Sequence, residues 1–173
     1  ISEALALLGA ELSAGTDLDT STVSLSALRE NLDDSLAIFA DVLLNPVFPP
    51  AELDRLRIQY LALIRQEKTR PTSMALRVLP KLIYGEGHAY AQPLTGSGTE
   101  ESIRAITRAD LQQYHKTWFR PNNATLLVVG DTNTAEITTK LKKLFRSWEP
   151  ADVPVKNIAL VKRSSKNAVY IVD

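Results

Sequence analysis

The 173-residue sequence has no cysteine, one methionine, two histidines and no net charge, with 20 Lys+Arg balancing 20 Asp+Glu. Each shortage excludes something. Without a thiol there is no cysteine nucleophile, no Fe–S cluster and no Cys-ligated zinc. A zero formal charge argues against a nucleic-acid groove or a polybasic membrane surface as a partner. No run of about 20 apolar residues occurs, so no segment is expected to span a bilayer as a helix. The missing cysteine leaves the compartment open, because cytosolic and exported proteins both manage without it. What is present is globular in character: 45% hydrophobic and 23% charged residues, enough to bury roughly 70% of the unfolded surface at this length.

Ile1, Ala4, Leu5 and Leu8 open the chain on an apolar helical period that Gly9 stops. The chain is therefore expected to be one piece of a longer polypeptide, with its first helix clipped. Two strands follow, from Ala10 to Thr16 and from Ser21 to Leu28, around the turn Asp17-Leu18-Asp19-Thr20. The second alternates Val23, Leu25, Ala27 with Thr22, Ser24, Ser26, giving one dry and one wet face. Asn31 is placed to cap a helix ending at Asn45-Pro46, and Pro49-Pro50 opens a longer one to about Lys68. After Arg70-Pro71 a third helix runs from Thr72 to Tyr84, interrupted or kinked near Pro80. Gly85, Gly87, Gly96 and Gly98 mark a long loop. Thr99 starts a short helix, and Thr107 with Asp110 starts another through Phe119. The β-branched run from Ala124 to Gly130 reads as a central strand, and Asn133 or Thr134 caps a helix bearing Ile137, Leu141, Leu144 and Phe145. Residues 155–161 and 168–172 read as strand-like. Helices segregated from a largely antiparallel sheet make this an α+β fold in two layers, with the helices on one face.

Chemistry is sparse. Gly96-Ser97-Gly98 places Ser97 in a loop with no nearby His pattern, so it reads as loop flexibility. Gly85-x-Gly87 precedes no helix and lacks the Lys-Ser/Thr pair of a phosphate loop. Binding zinc from one helix face needs two His at i, i+4, whereas His88 and His115 lie on different elements. His115 reads as a packing or surface residue and His88 as a hydrogen-bonding loop anchor. Glu67 reads as a solvated or ion-paired carboxylate.

Five patterns occur in order: Leu8-Gly9-Ala10-Glu11-Leu12-Ser13-Ala14; Leu43-Leu44-Asn45-Pro46-Val47-Phe48; Leu82-Ile83-Tyr84-Gly85-Glu86-Gly87-His88-Ala89-Tyr90; Gly96-x-Gly98-Thr99-Glu100; and Tyr114-x3-Trp118-Phe119-Arg120-Pro121-Asn122-Asn123, running into Leu127-Val128-Val129-Gly130-Asp131. Together they resemble the insulinase/pitrilysin-type zinc metallopeptidases, which include mitochondrial processing peptidases and bacterial zinc proteases. The resemblance spans nearly the whole chain. It implies an α+β module, residues 1–150 here, that recurs in tandem around a peptide-sized chamber. Residues 151–173 would then be a linker and the start of the following module.

In such proteins one copy carries His-x-x-Glu-His and a more distant Glu, which hold zinc and activate water; its partner copy is catalytically empty. The His pair would belong before Ile1. Counting back from Gly85, the distant acid would fall near Leu63. Glu67 lies one turn further on, and a shift of about 6 Å is far too large for a coordination distance near 2 Å. The resemblance therefore implies the empty copy: no catalytic and no metal residue in this chain, with zinc held in the parent protein or a partner copy. It implies a second peptidase-family module and a peptide substrate as partners, and allows a periplasmic location. Ser13, Ala14, Gly15 and Thr16 occupy the place of the substrate-pairing strand, where small side chains let a guest backbone approach. A plainer reading makes Gly15 a bulge before the turn. Two other functions stay open. One is a structural or assembly subunit of the same fold. The other is a small-molecule domain built around the Gly85–Gly98 loop.

Overall fold

The computed structural model describes residues 1–161 and 168–171. The chain divides into two compact units, one of Ile1–Val47 with Gln112–Pro154 and one of Phe48–Leu111 with Val155–Asp173.

In the first unit, helix α1 (Ser2–Leu7) ends on Gly9. The Gly9 N–H bonds the Ala6 carbonyl and the Ala10 N–H bonds the Leu5 carbonyl at 2.9 Å, an arrangement that needs the left-handed φ of +61° found at Gly9. Strands β1 (Glu11–Thr16) and β2 (Ser21–Ser26) pair antiparallel in unbroken register from Glu11↔Ser26 to Thr16↔Ser21. The turn between them is tied by Asp17, whose Oδ1 accepts the Asp19 and Thr20 N–H groups at 2.8 and 2.7 Å. Helix α2 (Leu32–Leu44) packs against β2 and α7 (Thr134–Leu144). Phe39 meets Phe145 edge-on, and Leu5, Leu36, Phe39, Ala40 and Ile137 are buried. Asn31 stands at the N-cap of α2, yet its side chain does not cap the helix. It donates instead to the Leu8 carbonyl at 3.0 Å and so ties α1 to α2.

The second unit contains α3 (Pro50–Glu67), α4 (Pro71–Tyr84) and α5 (Glu100–Ala105). Arg57 of α3 donates to the Ile103 and Ile106 carbonyls at the end of α5. Capping boxes start α5, through Thr99 and Ser102, and α6 (Arg108–Trp118), where Thr107 and Asp110 exchange bonds. Pro80 lies inside α4 without ending it. Having no N–H, it leaves the Leu76 carbonyl without its helical partner. That carbonyl accepts the Leu94 N–H at 3.1 Å, so the proline creates the point at which the long loop docks.

The α+β class holds, but the sheet is smaller than the sequence suggests. Among the described residues it consists of β1 and β2 only. Residues 124–130 are not a strand, nor are 155–161 or 168–171; Val172 lies outside the described residues. A strand exists only through a neighbour's hydrogen bonds, and among the described residues no strand borders the run expected to be central. Leu127 and Val129 are 85% and 90% exposed there.

Candidate functional site

Ser13, Ala14, Gly15 and Thr16 all lie in β1 and are all exposed. The Asp17 N–H bonds the Thr20 carbonyl at 2.9 Å, closing the hairpin on a hydrogen-bonded pair. Antiparallel pairs alternate from there. Gly15 and Ser13 therefore face β2 with their backbone groups, while Thr16, Ala14 and Leu12 turn their N–H and C=O outward. Among the described residues no strand pairs with that outer edge. The unbroken register shows that Gly15 is not a bulge. A Cβ at Gly15 would meet nothing within 4 Å, so packing does not demand glycine there, and the space beside the strand is open. The hydroxyl of Thr16 is spent inside the hairpin, 2.9 Å from the Thr20 carbonyl. An open groove of about 760 Å³ runs beside the strands, lined by Leu5 and Ala6 of α1 and by Leu12, Ser13, Ser24 and Leu25. Such an edge can hold a polypeptide through main-chain bonds with little demand on its side chains.

The titratable groups of the second unit have other employment. Glu67 is 7% exposed. Its Oε2 takes Arg77 Nη1 at 2.6 Å, Ser97 Oγ at 2.7 Å and Thr95 Oγ1 at 3.3 Å. Arg77 also donates to Ser97 Oγ at 2.6 Å and to the Gly98 carbonyl at 2.7 Å. The carboxylate is thus ion-paired and buried, not solvated. Ser97, read from sequence as loop flexibility, is 1% exposed and fixed between Glu67 and Arg77. No signal in the sequence pairs Arg77 with Glu67, because the contact forms only when the chain folds back at Pro71. Leu63 is 41% exposed on α3.

His88 acts as the loop anchor expected: Tyr90 N–H bonds its Nδ1, and Nε2 lies 2.9 Å from the Ala159 carbonyl. His115 is half-buried, stacked on Phe119, with Nε2 2.8 Å from the Leu43 carbonyl at the end of α2. Among the described residues no three His, Asp or Glu side chains cluster as metal ligands. A zinc ion, which the family resemblance implies in the parent protein or a partner copy, does not fit these residues: both histidines and Glu67 already serve internal bonds.

On exposed ground, Lys68 and then Arg104 bond Glu100 and hold its carboxyl down to about 2. Thr107 lowers Asp110 by hydrogen bonds from its side chain and its backbone.

Comparison with known proteins matches residues 1–97 to the model for Insulinase (Peptidase family M16) and residues 105–172 to that for the Peptidase M16 inactive domain. The mitochondrial-processing peptidase subunit beta of Neurospora crassa is 26% identical over 167 residues, covering 94% of this chain and 33% of that protein. The zinc protease PqqE of Helicobacter pylori is 25% identical over 147 residues, covering 83% of this chain and 32% of that protein. A crystal structure of a peptidase M16 inactive domain from Pseudomonas fluorescens superposes with a TM-score of 0.83 at 27% identity, covering 93% of this chain and 39% of that one. The chain spans between 14% and 33% of the length of the curated relatives it matches. With the five ordered motifs, the hairpin and the helices that carry them in view, the chain belongs to the insulinase family of peptidases, peptidase family M16.

Proposed function

We propose that this chain is the non-catalytic, chamber-forming copy in a zinc-dependent metallopeptidase that hydrolyses peptides or proteins. Residues 1–150 form the module and residues 151–173 lead toward the next. The observation that carries the reading is the state of Glu67. Among the described residues the acid nearest in sequence to the expected ligand position is buried against Arg77 and Ser97, and the count back from Gly85 puts Leu63 where an active copy would carry its acid. A carboxylate held by a guanidinium is a poor metal ligand, because binding zinc would leave Arg77 buried without its anion. Zinc would accordingly sit in a partner copy, and a second peptidase-family module completes the chamber. The outer edge of β1, at Ser13, Ala14, Gly15 and Thr16, would contact the polypeptide substrate.

Zinc titration followed by calorimetry tests the first part. The expected result is no stoichiometric binding. A 1:1 complex abolished by Glu67→Ala overturns it. The edge is tested by Ala14→Pro, which removes an outward N–H without touching the β1–β2 ladder. Binding of a fluorescently labelled unstructured polypeptide should weaken several-fold, about the effect of one net hydrogen bond. Unchanged affinity would remove β1 from the substrate path.

A further inference from the structure

Among the described residues, 155–161 form neither helix nor strand. Val155 and Leu160 face solvent, 92% and 98% exposed, while Ile158 and Val161 are partly covered, at 46% and 39%. Burial of Val155 and Leu160 therefore does not hold the segment, and Ile158 and Val161 give it only partial cover. A side chain of the long loop reaches it instead. His88, 8% exposed, sets Nε2 2.9 Å from the Ala159 carbonyl while Nδ1 faces the Tyr90 N–H at 3.1 Å. A carbonyl only accepts and an amide N–H only donates, so the ring carries its proton on Nε2. Both nitrogens are occupied, and no other tautomer satisfies both partners.

The ring itself is well fixed. It stacks on Tyr84 of α4, with centroids 5.1 Å apart and planes 14° from parallel, and it meets Tyr90 at 5.9 Å. The loop beneath it is fixed as well. The Gly85 N–H closes α4 on the Lys81 carbonyl, the Ala91 N–H bonds the His88 carbonyl, and the Leu94 N–H bonds the Leu76 carbonyl that Pro80 leaves open. A rigid donor thus meets a segment in which no large apolar side chain is more than partly covered.

We propose that His88 is a latch, a positioning residue whose Nε2–H seats residues 155–161 at Ala159 and turns a tether into a strap. The strap is held at its carbonyl and keeps Val155 and Leu160 outward. This role is independent of whether the chain binds zinc or peptide.

Two measurements on the chain decide it. In the unaltered protein, long-range proton–nitrogen NMR of the His88 ring should show the Nε2–H tautomer, with that proton protected from solvent. In His88→Leu, which keeps an apolar side chain but removes both ring nitrogens, amide exchange at 157–161 and tryptic cleavage after Lys156 should quicken roughly five- to tenfold, the factor one net hydrogen bond supplies. His88→Gln, able to donate an N–H, should retain much of the protection. An Nδ1–H tautomer overturns the latch, and so does unchanged exchange at 157–161 in a folded His88→Leu variant. Where that variant fails to fold by circular dichroism, the tautomer and its protection in the unaltered protein decide alone.

Discussion

Arg77→Met offers a sharp test of how the second unit is held. The substitution keeps the length of the side chain and removes its charge. It deletes three donations: to Glu67 at 2.6 Å, to Ser97 at 2.6 Å and to the Gly98 carbonyl at 2.7 Å. Glu67 would keep the Ser97 and Thr95 hydroxyls but lose its counter-ion. Both members of the pair are about nine-tenths buried. Removing one partner of such a pair costs about 3–5 kcal/mol, most of it the burden of an uncompensated buried charge. The double variant Arg77→Met with Glu67→Met removes that charge and should recover most of the loss. About 1–2 kcal/mol should remain, because the Gly98 carbonyl still lacks a donor while Ser97 and Thr95 can bond each other at 2.9 Å. Urea unfolding followed by circular dichroism gives the three free energies. If Arg77→Met costs under about 1 kcal/mol and the two single costs simply add, the carboxylate is solvated and the clamp does nothing.

Three further outcomes are expected. The Glu100 carboxyl should titrate by NMR near 2 and move up toward 4.5 in Lys68→Ala. Since folding lowers its pKa, its contribution is present above about 4.5 and fades as the pH falls toward 2, so Lys68→Ala should flatten the acid limb of stability in that window. Pro80→Ala restores an N–H that competes for the Leu76 carbonyl, and hydrogen exchange at Leu94 should accelerate several-fold; an unchanged rate would show that the loop does not depend on the proline. Asp17→Ala removes the acceptor of the Asp19 and Thr20 amides and of the Thr20 hydroxyl. It should cost about 1–2 kcal/mol in thermal denaturation, and a neutral result would mean the β1–β2 register sets the turn unaided.

Much of the fold is local and was therefore legible. Gly9 after an apolar period, Pro50 and Pro71 at helix starts, and the Thr99/Ser102 and Thr107/Asp110 pairs each act within four residues of themselves, so they mark helix ends before any tertiary contact forms. The alternation of Val23, Leu25 and Ala27 likewise announced a strand with one dry face, and Asp17 announced its turn. The ordered motifs carried the family.

Other features depend on distant chain. The run from Leu126 to Val129 has every intrinsic preference for a strand, yet a strand is completed by its neighbour, and none lies beside it among the described residues. Gly15 could equally have been a bulge or a ladder residue until the register was seen. Glu67 could have been a ligand, a solvated acid or half of an ion pair, and its residue type does not distinguish them. Only the fold, by turning α4 back at Pro71 and bringing Arg77 and Ser97 onto the same oxygen, determined which. The same holds for His88, whose partner is 71 residues away. The sequence by itself determined where helices and the hairpin begin and end, because those signals are short-ranged. Tertiary structure alone decided what its few titratable side chains are for, because their role depends on burial and on which partner folding brings within 3 Å.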